Sequence, residues 1–287
     1  MHPYLFNIPV PWGEGIRIAS YGFMIMCGFM VSLYIARRRA RKVGIDPAKI
    51  FDLAVGLLFG GIVGARLFYV IQFWDQFADN LFLIARIDQG GLVFYGGLLG
   101  GGLVGPVMMV MKNMPLRRTL DVLGSVVPLG HAFGRIGCFL EGCCFGHVTE
   151  SWIGVQFPQG SPAWTHQIYQ GILEPTGEWS RPVHPTQLYA VLYNVAVFAL
   201  LTFWFPRRRR NGEVAWIYAF AYGLARFGNE FIRVTQPVFL GLTVAQLICI
   251  PLVVFGGTML IRGRLLPPEP MPQTISAEPK DADASSQ

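Results

Sequence analysis

Three arginines stand inside stretches that are otherwise apolar: Arg66 after Gly64 and Ala65, Arg135 between Gly134 and Gly137, and Arg226 in the run from Tyr222 to Phe227. A guanidinium at membrane depth costs roughly 2.5–3.5 kcal/mol on insertion scales, so such residues face a protein interior or a watery cavity. Fixed positive charges there point to an anion site, and the most abundant anion within a bilayer is a lipid phosphate. Tyr222, Arg226, Glu230 and Arg233 recur at spacings that place them on one face of a helix. Arg226 and Glu230 can pair, which leaves an arginine over for a phosphate held by paired hydrogen bonds. Arg135 has an alternative partner in Glu141, a pairing that would only tie off a helix end.

Around Arg135 the glycines Gly134, Gly137, Gly142 and Gly146 alternate with Cys138, Cys143 and Cys144. Glycine lets the backbone bend or approach a ligand closely, and the density of glycines here favours a site. A zinc centre normally pairs cysteines two to four residues apart with distant ligands, and this spacing fits poorly. Facing an oxidising compartment, two of the three cysteines could form a disulfide; the reading adopted is a structural role. Cys27 and Cys249 lie in apolar runs as small core residues. His184, Pro185, Thr186, Gln187 and Tyr189 open another apolar run, with proline at a helix start and Thr186 and Gln187 able to cap it. His131 and His184 stand near helix ends, where an imidazole can accept a proton.

The elements that must carry these residues are membrane spans. Of 287 residues, 53% are hydrophobic and 14% charged, against about 25% charged in a soluble domain. The expected fold is an all-α integral membrane protein of about seven transmembrane helices. Their approximate bounds are Ile16–Ala36, Ile50–Phe73, Gly91–Met111, Thr119–Leu140, Pro185–Phe205, Glu213–Ile232 and Val238–Ile261, each near the ~20 residues a crossing needs. A catalytic membrane domain over 1–262 would include a small external head at 141–183, between spans four and five, and a disordered tail would occupy 263–287. Trp152, Trp164, Tyr169 and Trp179 are available for an interfacial belt in the head. Basic clusters (Arg37 to Lys42, Lys112 with Arg117 and Arg118, Arg207 to Arg210, Arg262 with Arg264) fall on alternate connections. The opposite connections carry Asp75, Asp79 and Asp88. The positive-inside rule then places the C-terminus in the cytoplasm and the N-terminus outside. The start of the chain lacks the basic region and cleavage site of a signal peptide, so the first span is expected to be retained. The net charge of +6 reflects topology rather than a nucleic-acid footprint. Gly56, Gly60, Gly61 and Gly64, with Gly96, Gly97 and Gly100 to Gly102, suit tight helix packing, or else faces opened for a lipid chain. No internal repeat is visible, which weakens a transporter built from inverted halves.

Taken together, these segments resemble the bacterial prolipoprotein diacylglyceryl transferase family. The resemblance rests on Ser20, Tyr21 and Gly22; Gly64 to Tyr69; Gly90 to Gly97; Gly134 to Gly137; His184 to Tyr189; and Tyr222, Arg226, Glu230 and Arg233, in that order. It implies transfer of the diacylglyceryl group of phosphatidylglycerol to the lipobox cysteine of a prolipoprotein, at the bacterial inner membrane, with glycerol 1-phosphate leaving. It marks Arg135, Arg226, Tyr95 and Tyr21 as catalytic. Arg135, Arg226, Arg66, Glu230, Arg233, His184, Gln187 and Glu141 become substrate contacts, with no metal or soluble cofactor demanded. Three departures stand out: Tyr95 where the family often has a histidine regarded as a base, Cys138 and Cys143 where it often has Asn and an acidic residue, and Ala190 in place of Glu. His131, His184 and Glu141 are the other candidates to take the thiol's proton. The rival readings are a thiol oxidoreductase using Cys138, Cys143 and Cys144, and an anion or lipid transporter whose arginines only bind.

Overall fold

The computed structural model describes residues 4–8, 16–87 and 90–270, and Asp88 and the tail beyond 270 lie outside them. The chain divides into two compact units, Met1–Ile35 with Leu120–Met271, and Ala36–Thr119 with Pro272–Gln287.

The second of these units is built on a helical hairpin, α2 (Pro47–Gln72) and α3 (Phe94–Met111). Asp46 starts α2, its carboxylate accepting from the Ala48 amide at 2.8 Å, with Pro47 in the first turn where its missing N–H costs nothing. The hairpin closes on glycine. A methyl added to Gly64 would meet the Gly96 carbonyl and lie 2.8 Å from the Gly100 Cα, and one on Gly100 would meet the Gly60 carbonyl. At Gly60, Gly64, Gly96 and Gly100 the helices therefore pack directly on one another, whereas Gly102 has open space beside it. The outward faces carry exposed Phe59, Leu103 and Val110, as an apolar solvent requires. Lys112 closes the open end of the hairpin with an ion pair to Asp52 at 2.5 Å.

The other unit begins with a two-stranded antiparallel ribbon, β1 (Tyr4–Ile8) and β2 (Ile16–Ala19). It feeds α1 (Ser20–Lys42), so the first helix starts four residues later than the apolar run suggested. Within this unit α1 meets α4 (Leu116–Glu141) along another glycine stripe. A methyl on Gly28 would sit 2.7 Å from the Phe133 Cβ, and one on Gly137 would sit 3.1 Å from the Tyr21 Cα. The head holds α5 (Pro162–Tyr169) over a small core of Phe145, Phe157, Ala163 and Val183. Trp152 and Tyr169 are exposed there, whereas Trp164 is tied down through its indole N–H to the Gly177 carbonyl at 2.7 Å.

After the head come α6 (Thr186–Trp204), α7 (Glu213–Glu230) and α8 (Val244–Leu265). Asp121 of α4 accepts from the amides of Gly212 (2.7 Å) and Ala215 (3.1 Å), so one helix supplies the N-terminal cap of another. The Thr243 and Gln246 side chains form a capping box at the start of α8. Helix α8 runs to Leu265, and the Glu269 carboxylate beyond it pairs with Arg210 at 2.7 Å. The disorder expected from 263 onward therefore does not apply to the first residues of that tail. Among the described residues six helices are long and apolar enough to cross a membrane; α7, with Glu213, Arg226 and Glu230 in its 18 residues, falls outside that group. The protein is an all-α integral membrane protein apart from its terminal ribbon.

Candidate active site

The charged stripe is carried by α7. Arg226 and Glu230, four residues apart, are both buried and joined by a hydrogen bond from the Arg226 Nη1. The helix ends at Glu230, earlier than the spacing implied, so Arg233 is not the next member of a helical face. It returns to the site because the chain after α7 pairs with the head: Gly146 and Arg233 form a bridge, and the Val234 amide donates to the Phe145 carbonyl at 3.2 Å. This places the Arg233 Nη1 3.9 Å from the same Glu230 carboxylate. The other Glu230 oxygen accepts from the Thr243 hydroxyl at 3.1 Å. One carboxylate therefore faces two guanidiniums, and the Arg233 Nε is buried with no hydrogen-bond partner among the described residues.

Arg135 comes from the last turns of α4. Its Nε donates to the His131 Nε2, 3.0 Å away and one turn earlier on the same helix. No pairing of Arg135 with Glu141 occurs among the described residues, and its terminal nitrogens have no protein hydrogen-bond partner there. With Nε2 accepting, His131 orients the guanidinium rather than standing ready for a proton. Its ring packs on Tyr222 at 5.4 Å between centroids. Tyr222 in turn neighbours Tyr193 at 6.3 Å and Tyr218 at 5.5 Å. Tyr193 and Tyr222 lie within electrostatic reach of both Arg135 and Arg226. The Tyr193 hydroxyl is a buried polar group with no partner among the described residues. Sequence reasoning missed Tyr193, which carries no motif of its own; only its place one turn after Tyr189 marked it. Arg135, Arg226 and Arg233 against Glu230 leave a surplus of two positive charges in an apolar setting, with unused donors. An anion with several acceptor oxygens satisfies both shortages.

Helix α6 closes the site from the side of the head. Thr186 and Gln187, expected to cap their own helix, hold the preceding loop instead. The Thr186 hydroxyl donates to the Cys144 carbonyl at 2.7 Å, and the Gln187 amide to the Cys143 carbonyl at 2.6 Å. The Gln187 Oε1 is buried and has no partner among the described residues. His184 Nδ1 and the Tyr189 hydroxyl share a hydrogen bond of 3.1 Å. The loop these residues hold is sharply bent. Gly142 adopts φ +78°, where a side chain would also press on the Phe157 ring at 2.8 Å, and Cys144 adopts φ +62° without being glycine.

That bend gathers what the spacing seemed to scatter. The Cys138, Cys143 and Cys144 sulfurs all lie within 4.8 Å of one another, as free thiols. Hydrogen bonds from the Cys138 and Cys143 thiols hold the Cys144 sulfur well below the usual thiol range, with smaller help from Arg233 and Arg135. The same bonds push Cys143 up. Cys144 and Arg233 also line a head cavity of about 590 Å³, together with His147, His166, Gln167 and Gln236. Tyr21, at the start of α1 against Gly137, remains 44% exposed.

Arg66 and Tyr95 belong to the α2–α3 unit. Arg66 is occupied: its Nε donates to Ile84 O (2.9 Å), Nη1 to Gly90 O (3.0 Å) and Gly91 O (3.1 Å), and Nη2 to Leu83 O (2.6 Å). Its guanidinium is the buckle of the loop between α2 and α3, which leaves little of it for a phosphate. Tyr95 is 41% exposed, stacked edgewise on Phe94, and its hydroxyl has no hydrogen-bond partner among the described residues.

Comparisons with known proteins identify the family. The profile of the prolipoprotein diacylglyceryl transferase family matches residues 6–262. The phosphatidylglycerol–prolipoprotein diacylglyceryl transferase of Clostridium tetani is 32% identical over 234 residues, covering 81% of this chain and 86% of the relative. The enzyme of the same name from Stenotrophomonas maltophilia is 32% identical over 283 residues, covering 92% and 94%. That of Finegoldia magna is 33% identical over 250 residues, covering 86% and 92%. With a match over most of its length and relatives above 30% identity, the chain belongs to the prolipoprotein diacylglyceryl transferase family.

Proposed function

We propose that the protein transfers the diacylglyceryl group of phosphatidylglycerol to the thiol of a lipobox cysteine, forming a thioether and releasing glycerol 1-phosphate. The single observation that carries this reading is the surplus of guanidinium donors at the half-buried Arg135 and Arg233 beside the buried Arg226–Glu230 pair. Displacement at a saturated glycerol carbon places charge on the departing phosphate. Preorganised charged donors in a water-poor site stabilise that charge without having to reorganise.

Arg135 and Arg226 take the phosphate oxygens, Arg135 with its two terminal nitrogens and Arg226 from across the Tyr193–Tyr222 pair. Glu230 fixes the pose of Arg226 and restrains Arg233, which completes the cationic wall. The nucleophile belongs to the incoming peptide, and the nearby guanidiniums favour its thiolate. The free hydroxyls of Tyr21 and Tyr95 are assigned to positioning the reacting groups, His184 and Gln187 to the substrate side of the head loop, and Glu141 to the peptide. Lipid and preprotein enter from the bilayer, with the head and N-terminus external, the basic connections cytoplasmic, and the bacterial inner membrane as the site of action. The alternation of basic clusters supports this orientation.

The test is transfer by purified protein from labelled phosphatidylglycerol to a lipobox peptide, with Arg135→Ala alongside. Label on the peptide cysteine that the variant abolishes is the expected result. Absence of transfer by folded wild-type protein sinks the reading.

A further inference from the structure

The mechanism leaves three thiols unused, and they are the most unusual feature of the site. Cys138 lies in the last turn of α4, Cys143 is drawn back by its amide to the Cys138 carbonyl at 3.1 Å, and Cys144 follows at φ +62°. Their sulfurs fall within 4.8 Å of one another, while thiolates around a tetrahedral zinc ion stand about 3.8 Å apart at a zinc–sulfur distance of about 2.3 Å. The backbone of two of the three is already braced by Thr186 and Gln187, the kind of outer support that holds metal ligands in place. Arg135 and Arg233 lie within electrostatic reach of Cys144.

We propose that Cys138, Cys143 and Cys144 form a three-sulfur zinc site whose open fourth position, beside the head cavity that Cys144 lines, takes the thiol of the incoming peptide. The identity of that fourth ligand rests on the transferase reading; the metal site itself does not. A coordinated thiol is deprotonated outright, and its proton passes to water in the open cavity. The metal-held sulfur then attacks the glyceryl carbon. The carbon–sulfur bond forms as the carbon–oxygen bond to phosphate breaks, and the electron pair leaves with glycerol 1-phosphate against Arg135 and Arg226. The product thioether is a weaker ligand and departs. No electron is exchanged with any partner, which suits a d¹⁰ ion.

The experiment uses the full chain in detergent, purified without reductant, loaded with Zn²⁺ and freed of excess metal, with Co²⁺ as a spectroscopic probe. The expected results are one zinc per chain and a cobalt form with the sulfur-to-metal charge-transfer and ligand-field absorption of a four-coordinate thiolate site. A cysteine lipobox peptide should shift that spectrum, and its serine counterpart should not. Cys138→Ser and Cys144→Ser should each weaken zinc binding tenfold or more, with retained helicity checked by circular dichroism. The cobalt spectrum of the wild-type protein stands even if a variant misfolds. Metal-free protein with all thiols titratable, or a disulfide among the three, overturns the site. Zinc bound without any response to the peptide, or transfer undiminished after chelation, removes the fourth-ligand assignment. Bound zinc in a protein that transfers no diacylglyceryl under any condition refutes the transferase reading and leaves the metal site standing.

Discussion

Replacing Arg135 with lysine keeps the charge and removes the fork. In the wild-type site Nε is committed to His131 at 3.0 Å, which leaves both terminal nitrogens free for one acceptor. Lysine has no second arm and no tether, so one charge-assisted hydrogen bond to the leaving phosphate is lost. Such a bond contributes about 1.5–3 kcal/mol, which corresponds to a fall of roughly 10- to 150-fold in kcat/KM. Arg135→Ala removes both bonds and the charge, and a loss of about 10²- to 10³-fold or more follows, the scale seen when a single oxyanion donor is deleted. The assay is initial-rate transfer from labelled phosphatidylglycerol at peptide concentrations below KM, with melting temperature in detergent as the fold control. A lysine variant within threefold of wild type, equally stable, would refute the bidentate role and reduce Arg135 to a source of field.

Glu230→Gln leaves Arg226 buried without its countercharge and should destabilise the protein by about 3–5 kcal/mol, read as a lower melting temperature; an unchanged melting curve counts against the pair as a structural anchor. Arg66→Met removes the buckle of the 83–91 loop, and cleavage by added protease between Leu81 and Gly91 should accelerate at least tenfold, while wild-type cleavage rates would show that the carbonyl contacts are dispensable. Gly64→Val drives a branched side chain into the Gly96 carbonyl and should cost more than about 3 kcal/mol by overpacking, whereas Gly22→Ala, with open space around it, should be neutral in the same thermal scan. Tyr95→Phe should lower kcat by about 3- to 10-fold, the loss of one neutral hydrogen bond; full activity would remove the phenol from the reaction.

Much of this architecture was written in hydropathy. Each of the seven expected apolar runs became a helix, because an apolar environment forces backbone groups to bond within the segment. The arginines at depth were legible for the same reason, since their cost demands a purpose. The purposes differed, however. Nothing in the local sequence distinguishes Arg66, consumed by four loop carbonyls, from Arg135, whose terminal nitrogens remain unused. That distinction depends on where a connecting loop returns. Arg233 likewise seemed to extend a helical stripe, while its actual approach to Glu230 is set by pairing of the following chain with the head. The thiol cluster was hidden by counting residues along the chain. Positive φ at Gly142 and Cys144 folds the loop back on itself, a turn that spacing rules built on regular ligand pairs do not anticipate.

The helix that carries the charges is also the one least able to enter a bilayer by itself. Arg226 and Glu230 make α7 too polar to partition alone, whereas α8, packed against it through Gly223 and Gly256, is among the helices apolar enough to cross. We therefore expect α7 to enter together with α8 as a hairpin, with the arginine and glutamate already joined. The order in which the chain is made thus becomes part of how the site is assembled: a ribosomal pause or truncation before α8 would strand the helix that carries Arg226 and Glu230 outside the membrane even though its own residues were all in place.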